Sequence, residues 1–144
     1  MSSLRPDLAR IASLVPQGAR VLDVGCGSGD LMQVLETERG CDARGIEIDA
    51  EEVARAVSRG LSVVQGDANR DLADYPDGAF DVAVLSQTLQ TAQRPDWLLD
   101  QLLRVGREAF VSFPNFAYWR MRLSLLKDGR MPISRHLPAR WYDT

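Results

Sequence analysis

"VLDVGCGSGD", residues 21–30, decides the fold of this 144-residue chain. Its apolar start reads as a short strand, and Gly25, Gly27 and Gly29 then alternate through a loop that brings bare backbone close to a ligand. "DLMQVLETER" follows as a helix that Gly40 stops. A strand, a glycine turn and a helix make the first unit of an α/β domain. The next residue after the last glycine is Asp30, a carboxylate where a phosphate-binding loop tolerates no negative charge.

The units on either side keep the alternation. Leu8, Ile11, Ala12 and Val15 recur at helical spacing, so a helix is expected within residues 1–17, ended by "PQG". "DARGIEI" is a second strand. Asp49, with Glu52 three residues on, has the spacing of a capping box for "AEEVARAVSR", which Gly60 closes. "LSVVQ" is strand three, a short helical turn follows around Asn69–Leu72, and "YPDGAF" is a turn. "FDVAVL" is strand four, "RPDWLLDQLLRV" a helix with Pro95 near its first turn, and "EAFVSF" strand five. The reading is one α/β domain over residues 1–144, with a doubly wound, mainly parallel sheet of order 3-2-1-4-5. Its ligand crevice belongs at the carboxyl ends beside strand one.

Composition narrows the partners. The net charge of −3 gives no pull toward nucleic acid or an anionic membrane, and the N-terminus has no long apolar run. Two cysteines and one histidine are too few for a disulfide framework or a thiolate or His-rich metal site, so a reducing cytoplasm is the expected compartment. The charge is uneven: residues 1–113 hold 11 Lys/Arg against 18 Asp/Glu, and residues 114–144 hold 6 against 2. In that basic segment Phe116, Trp119, Leu123 and Leu126 share one face of a helix. The helix either packs over strand five or presents a partner surface, and Arg135 and Arg140 suit an anionic substrate or an acidic partner.

Spacing selects the ligand. Glu47 ends strand two about 20 residues beyond the loop, where an acid accepts both ribose hydroxyls. Asp67, with Ala68 and Asn69 beside it, ends strand three in reach of an adenine edge, and Ile48 offers one adenine face. Pyrophosphate is repelled by Asp30 at a helix start, whereas an adenosyl ligand carrying positive charge is not. S-adenosylmethionine is such a ligand. Asp23 and Asp30 would stand at its charged end, Gly25, Cys26, Gly27, Ser28 and Gly29 would cradle it, and Ser86 and Gln87 would line its methyl side. Each acid has a plainer role open to it: Asp30 a helix start, Asp23 a tie for the loop, Glu47 a solvated strand end and Asp67 a turn residue. An NAD-dependent oxidoreductase survives if Asp30 turns away.

"LDVGCGSGDLMQVL", "GIEID", "VVQGDAN" and "FDVAVLSQTLQ" resemble the successive motifs of class I S-adenosylmethionine-dependent methyltransferases. The stretch from "LSQTLQ" and "RPDWLLDQLLRVGREAFVSF" to "RHLPARWYDT" resembles the MetW family of methionine-biosynthesis proteins. The resemblance implies S-adenosylmethionine as cofactor and S-adenosylhomocysteine as product, with a small-molecule or unidentified methyl acceptor. It also implies association with a homoserine O-acyltransferase, so a non-catalytic, cofactor-sensing subunit stands beside an active methyltransferase. Tyr118, His136 and Tyr142 are the candidates for proton acceptor. Members of the family continue past "WYDT", so a C-terminally shortened chain lacking strands six and seven is expected, with strand five left as an apolar edge.

Overall fold

Strands buried on both faces need apolar residues at successive positions, and "RVLDV", "FDVAVL" and "REAFVS" supply them. The computed structural model describes residues 4–86, 93–112 and 118–122, and in the last stretch only the side chain of Arg120. In chain order the elements are α1 (Pro6–Leu14), β1 (Arg20–Val24), α2 (Asp30–Arg39), β2 (Asp42–Glu47), α3 (Ala50–Ser58) and β3 (Ser62–Gln65). Then come α4 (Ala68–Asp71) with a 3-10 turn over Leu72–Asp74, β4 (Phe80–Leu85), α5 (Pro95–Val105), β5 (Gly106–Ser112) and β6 (Tyr118–Arg122). The sheet order is β3-β2-β1-β4-β5-β6, and every pair is parallel except β5 with β6. The expected 3-2-1-4-5 order is therefore present, with the order reversing at β1.

Alternation of side chains across the sheet builds two cores. Val21, Val82, Val84 and Phe110 face α1 and α2 and meet Ile11, Leu31 and Leu35. Leu22, Val24, Leu85 and Val111 face the other way and meet α5. That helix buries Leu98, Leu99, Leu102, Leu103 and Val105, each contributing about 1.5–3 kcal/mol of burial. A third cluster seats α3 through Ala56 against Leu61, Val63 and Met32. Gly45 permits this: a Cβ there would lie 2.7 Å from both Cys26 Sγ and Met32 Sδ.

Two local expectations need correction. Asp49 does cap α3, accepting from the Glu51 N–H at 2.9 Å. The reciprocal half of the box is not made by Glu52; the Asp49 N–H donates instead to Glu47 at 2.8 Å. The larger correction concerns the tail. Residues 118–122 form a strand rather than part of a helix, pairing antiparallel to β5 in the register Ser112↔Tyr118 to Glu108↔Arg122. A sixth strand is thus present and covers the edge expected to be bare. An open β5 edge offers a row of backbone partners, which outweighs a short helical pattern. Arg120, expected on the polar side of a helix, pairs with Glu108 of β5. The remaining residues of that segment, including Phe116, Leu123, Leu126, Arg135, His136, Arg140 and Tyr142, lie outside the described residues, as does Gln87.

Candidate functional site

Parallel strands that reverse order leave a crevice at their carboxyl ends, and here it opens beside β1. Gly25, Gly27 and Gly29 all have positive φ, at 71°, 59° and 91°, which folds the loop after β1 back over the strand ends. One cleft of about 450 Å3 lies on the α1–α2 side, lined by Arg5, Asp23, Gly25, Gly27, Ser28, Glu47, Ser86 and neighbours. A second pocket of about 280 Å3 lies on the α4–α5 side, lined by Ile46, Ile48, Gly66, Asp67, Ala68, Asn69 and Leu98. Gly25 and Glu47 border both. The pockets adjoin at these two residues over the ends of β1 and β2, and their volumes are on the scale of a small-ligand site.

Glu47 joins the two halves. One carboxylate oxygen accepts the Gly27 N–H at 2.9 Å and the other the Asp49 N–H at 2.8 Å. The acid at the end of β2 therefore fixes the glycine loop and the start of α3, and each oxygen keeps lone-pair capacity for a further donor. Ile48, 60% exposed, stands at the rim of the second pocket. Asp67 caps α4, accepting from the backbone and side-chain amides of Asn69 at 3.0 and 3.1 Å. Ala68 and Asn69 share its pocket wall.

Asp23 was expected to be a fixed anion, and it is not. Its side chain is wholly buried, and desolvation raises its pKa from 3.8 to about 7. A hydrogen bond from Ser86 and the charge of Arg5 pull the value down, and Glu47 pushes it up. Ser86 Oγ donates to Asp23 Oδ1 at 3.0 Å and to the Gly25 carbonyl at 3.2 Å, whereas Asp23 Oδ2 has no partner. The same surroundings, burial first and Asp23 second, push the Cys26 thiol far above its usual range, so it packs as a small apolar group.

Asp30 lines the cleft but is not a free charge. Arg59, at the C-cap of α3, reaches it at 2.8 Å, donates to the Ser28 carbonyl at 3.0 Å, and also binds Gln33. Gly29 does not line either pocket. A Cβ on it would lie 2.3 Å from Leu61 Cδ1, so its role is close packing of α2 on the start of β3. The sequence reading missed Arg59, and it missed Leu4, Arg5 and Leu8, which form the α1 wall of the cleft. Residues so far from the loop in sequence carry no local signal for it.

The fold and crevice define a Rossmann-like domain of the methyltransferase type, and the comparisons agree. A TehB-like SAM-dependent methyltransferase from Corynebacterium glutamicum superposes with a TM-score of 0.65 at 24% identity, over 79% of this chain and 65% of that one. The cyclase SpnF superposes with a TM-score of 0.61 at 29% identity, over 71% of this chain and 43% of its own. The family model described as "Methionine biosynthesis protein MetW" matches residues 5–144. The chain belongs to the MetW family. The bifunctional methionine biosynthesis protein MetXA/MetW of Rhodopirellula baltica is 35% identical over 138 residues, covering 90% of this chain and 22% of that protein. The chain spans about a fifth to about half of the length of the curated relatives it matches.

Proposed function

We propose that the paired pockets bind S-adenosylmethionine, and that this chain is the methyltransferase-like, cofactor-binding unit of a methionine-biosynthesis protein. The observation that carries the reading is the charge of the cleft beside the glycine loop. Asp23, Asp30, Glu47, Asp49 and Glu52 line it with Arg5; Asp23 is protonated in part of the molecules, and Asp30 and Glu52 are paired with Arg59 and Arg55, so Glu47 and Asp49 carry most of its negative charge. Such a wall favours a cationic adenosyl compound over a diphosphate. The adenine would lie between Ile48 and the Ala68 side of the second pocket, with Asp67 and Asn69 at its edge. Glu47 would take the ribose, and the methionyl end would enter the cleft over Gly25, Cys26, Gly27 and Ser28.

When bound, the sulfonium supplies an electrophilic methyl for in-line displacement. What the chain's residues contribute is alignment and exclusion of water. Ser86, 4% exposed and tied to Asp23 and the Gly25 carbonyl, fixes the strand-four wall on that side. Calorimetric titration with S-adenosylmethionine, S-adenosylhomocysteine and NAD tests the reading. Binding of the first two and not the third is expected, and binding of NAD alone would overturn it.

A second reading has its own support: the Rhodopirellula baltica relative joins a MetW unit to a MetXA unit in one chain. On that reading the chain is a cofactor-sensing subunit of a homoserine O-acyltransferase, and occupancy of the cleft is felt by the partner through linkage. Acyltransferase activity is then expected to change when this chain is added, and by a different amount with S-adenosylmethionine present. An activity and gel mobility indifferent to both additions would remove this reading and leave the first.

A further inference from the structure

The glycine loop is gripped from outside the crevice as well as from within. Glu47 holds its amide side, accepting the Gly27 N–H at 2.9 Å. Arg59 holds its carbonyl side. Its Nη1 donates to the Ser28 carbonyl at 3.0 Å and to Asp30 Oδ1 at 2.8 Å, and its Nη2 donates to Gln33 Oε1 on α2. The end of α3 aims this side chain. The Arg59 N–H donates to the carbonyls of Arg55 and Ala56, Gly60 turns the chain at φ 83°, and the Leu61 N–H returns to the Ala56 carbonyl at 3.1 Å. The same turn seats Leu61 and Ala56 under Gly29, where a Cβ would lie 2.3 Å from Leu61 Cδ1 and 3.7 Å from Ala56 Cβ. Residues 28–30 thus rest on the turn between α3 and β3, although residues 59–61 line neither pocket of the crevice.

We propose that Arg59 is the positioning residue of the glycine loop: it keeps the loop in its ligand-binding shape before the ligand arrives, without touching the ligand itself. The assignment rests on the adenosyl reading of the crevice. Three acceptors, on Ser28, Asp30 and Gln33, surround one guanidinium. The planar, multi-donor fork of arginine serves such a set better than the point charge of lysine does. The ion pair with Asp30 is the lesser part of the tie, because that carboxylate is 52% exposed and screened by water. The bond to the Ser28 carbonyl fixes the backbone, and the bond to Gln33 fixes the loop relative to α2. A loop set in advance leaves the ligand no ordering cost to meet, so the tie is read in affinity as well as in stability.

One measurement needs no variant. In amide NMR of the full chain, the Gly27 and Gly29 signals of the ligand-free protein are expected to be as sharp as those of its complex with S-adenosylhomocysteine. Signals broadened by exchange that sharpen only with ligand would overturn the proposal. The second measurement is the affinity for S-adenosylhomocysteine by calorimetry. A loop that holds its binding shape in about one molecule in ten binds about tenfold more weakly, and that is the loss expected of Arg59→Met. Arg59→Lys should recover part of it. The two glycine signals of ligand-free Arg59→Met should broaden and then sharpen at saturation, a signature that a uniform loss of stability does not give. Adding Asp30→Asn to Arg59→Met should not restore the affinity. Wild-type affinity in Arg59→Met overturns the proposal, and so does recovery in the double variant, which would assign Arg59 to masking a charge rather than to placing the loop. If S-adenosylhomocysteine does not bind the wild type, the adenosyl reading itself fails and takes this assignment with it.

Discussion

Replacing Asp23 by Asn isolates the electrostatics of the cleft. In the folded protein burial holds the Asp23 pKa near 7, against 3.8 for an ordinary carboxyl. A carboxyl whose folded-state pKa is raised binds its proton more tightly when folded. Its contribution to stability is thus fully present below the unfolded pKa and is lost as the pH rises through the folded one. Integrated over those two pKa values, this single group lowers the stability of the ligand-free protein by about 2–3 kcal/mol between about pH 5 and pH 8. The groups facing it are Ser86, Glu47 and Arg5, and none is removed by the substitution. Asn keeps the shape and still accepts from Ser86 but cannot ionise. Urea unfolding of both proteins at pH 5, 6, 7 and 8 should show the variant gaining on the wild type as the pH rises. The same group predicts that binding of an ammonium-bearing adenosyl ligand ionises Asp23. Wild-type affinity should then rise about tenfold from pH 6 to pH 8 with release of a proton, and that rise should vanish in Asp23→Asn. Parallel stability curves for the two proteins would show that Asp23 titrates as an exposed acid, and the reasoning would fail.

Glu47→Ala is expected to weaken S-adenosylhomocysteine binding by about 1.5–3 kcal/mol. Because Glu47 also holds the Gly27 and Asp49 amides, those two amides should exchange faster in the ligand-free variant, as read by hydrogen-exchange NMR. Gly29→Ala places a side chain at φ +91° and against Leu61, and a loss of about 2–4 kcal/mol in urea unfolding is expected. A second substitution, Leu61→Ala, should recover the steric share only. Arg59→Met removes the bonds to Ser28, Asp30 and Gln33, and a loss of about 1–2 kcal/mol is expected. Most of that belongs to the carbonyl and amide contacts, since Asp30 is half exposed and its ion pair alone is worth little. An unchanged denaturation midpoint would mean that the loop holds its shape without this tie.

The sheet was legible because β1, β4 and β5 carry apolar runs bounded by turn chemistry, and because helices alternate with all five parallel strands. The boundary between α5 and β5 was less so. "RVGREAF" passes from helix to strand at Gly106 without a loop, and only the tight packing of Gly106 on Ala83, where a Cβ would lie 2.8 Å from the Ala83 amide, marks the change. The five residues of β6 read as helix because Trp119 falls into register with Phe116 and Leu123 at helical spacing. A segment that short fits either period, and the deciding partner is the β5 edge, which belongs to tertiary structure. In the site, residue types were legible and charge states were not. Asp23 looks like any acid after a strand until Ser86, 63 residues away, and the wall of α1 bury it. Asp30 looks unpaired until Arg59, 29 residues away, arrives from α3.

Under the proposed adenosyl reading, those two corrections move the discrimination against diphosphate to a different residue. Asp30 stands where the spacing put it, yet an arginine neutralises it, so it contributes little field to the cleft. Asp23 is charged in only part of the molecules near neutral pH. Glu47 remains. It occupies the Gly27 N–H, a loop amide of the kind a diphosphate would need, with an ionisable oxygen already in place. A dinucleotide must therefore displace a carboxylate from the loop before its own oxygens can approach, whereas an adenosyl ligand without phosphate leaves that bond intact and adds ribose hydroxyls to the remaining lone pairs. On this account Arg59→Met, which unmasks Asp30, should leave the exclusion of NAD unchanged, because the barrier does not lie at Asp30. If NAD is excluded by the wild type but bound by a Glu47→Ala variant, the acid at the end of β2 is the selector. If instead Asp30→Asn alone admits NAD, the charge at the helix start matters despite its arginine, and the assignment to Glu47 is wrong.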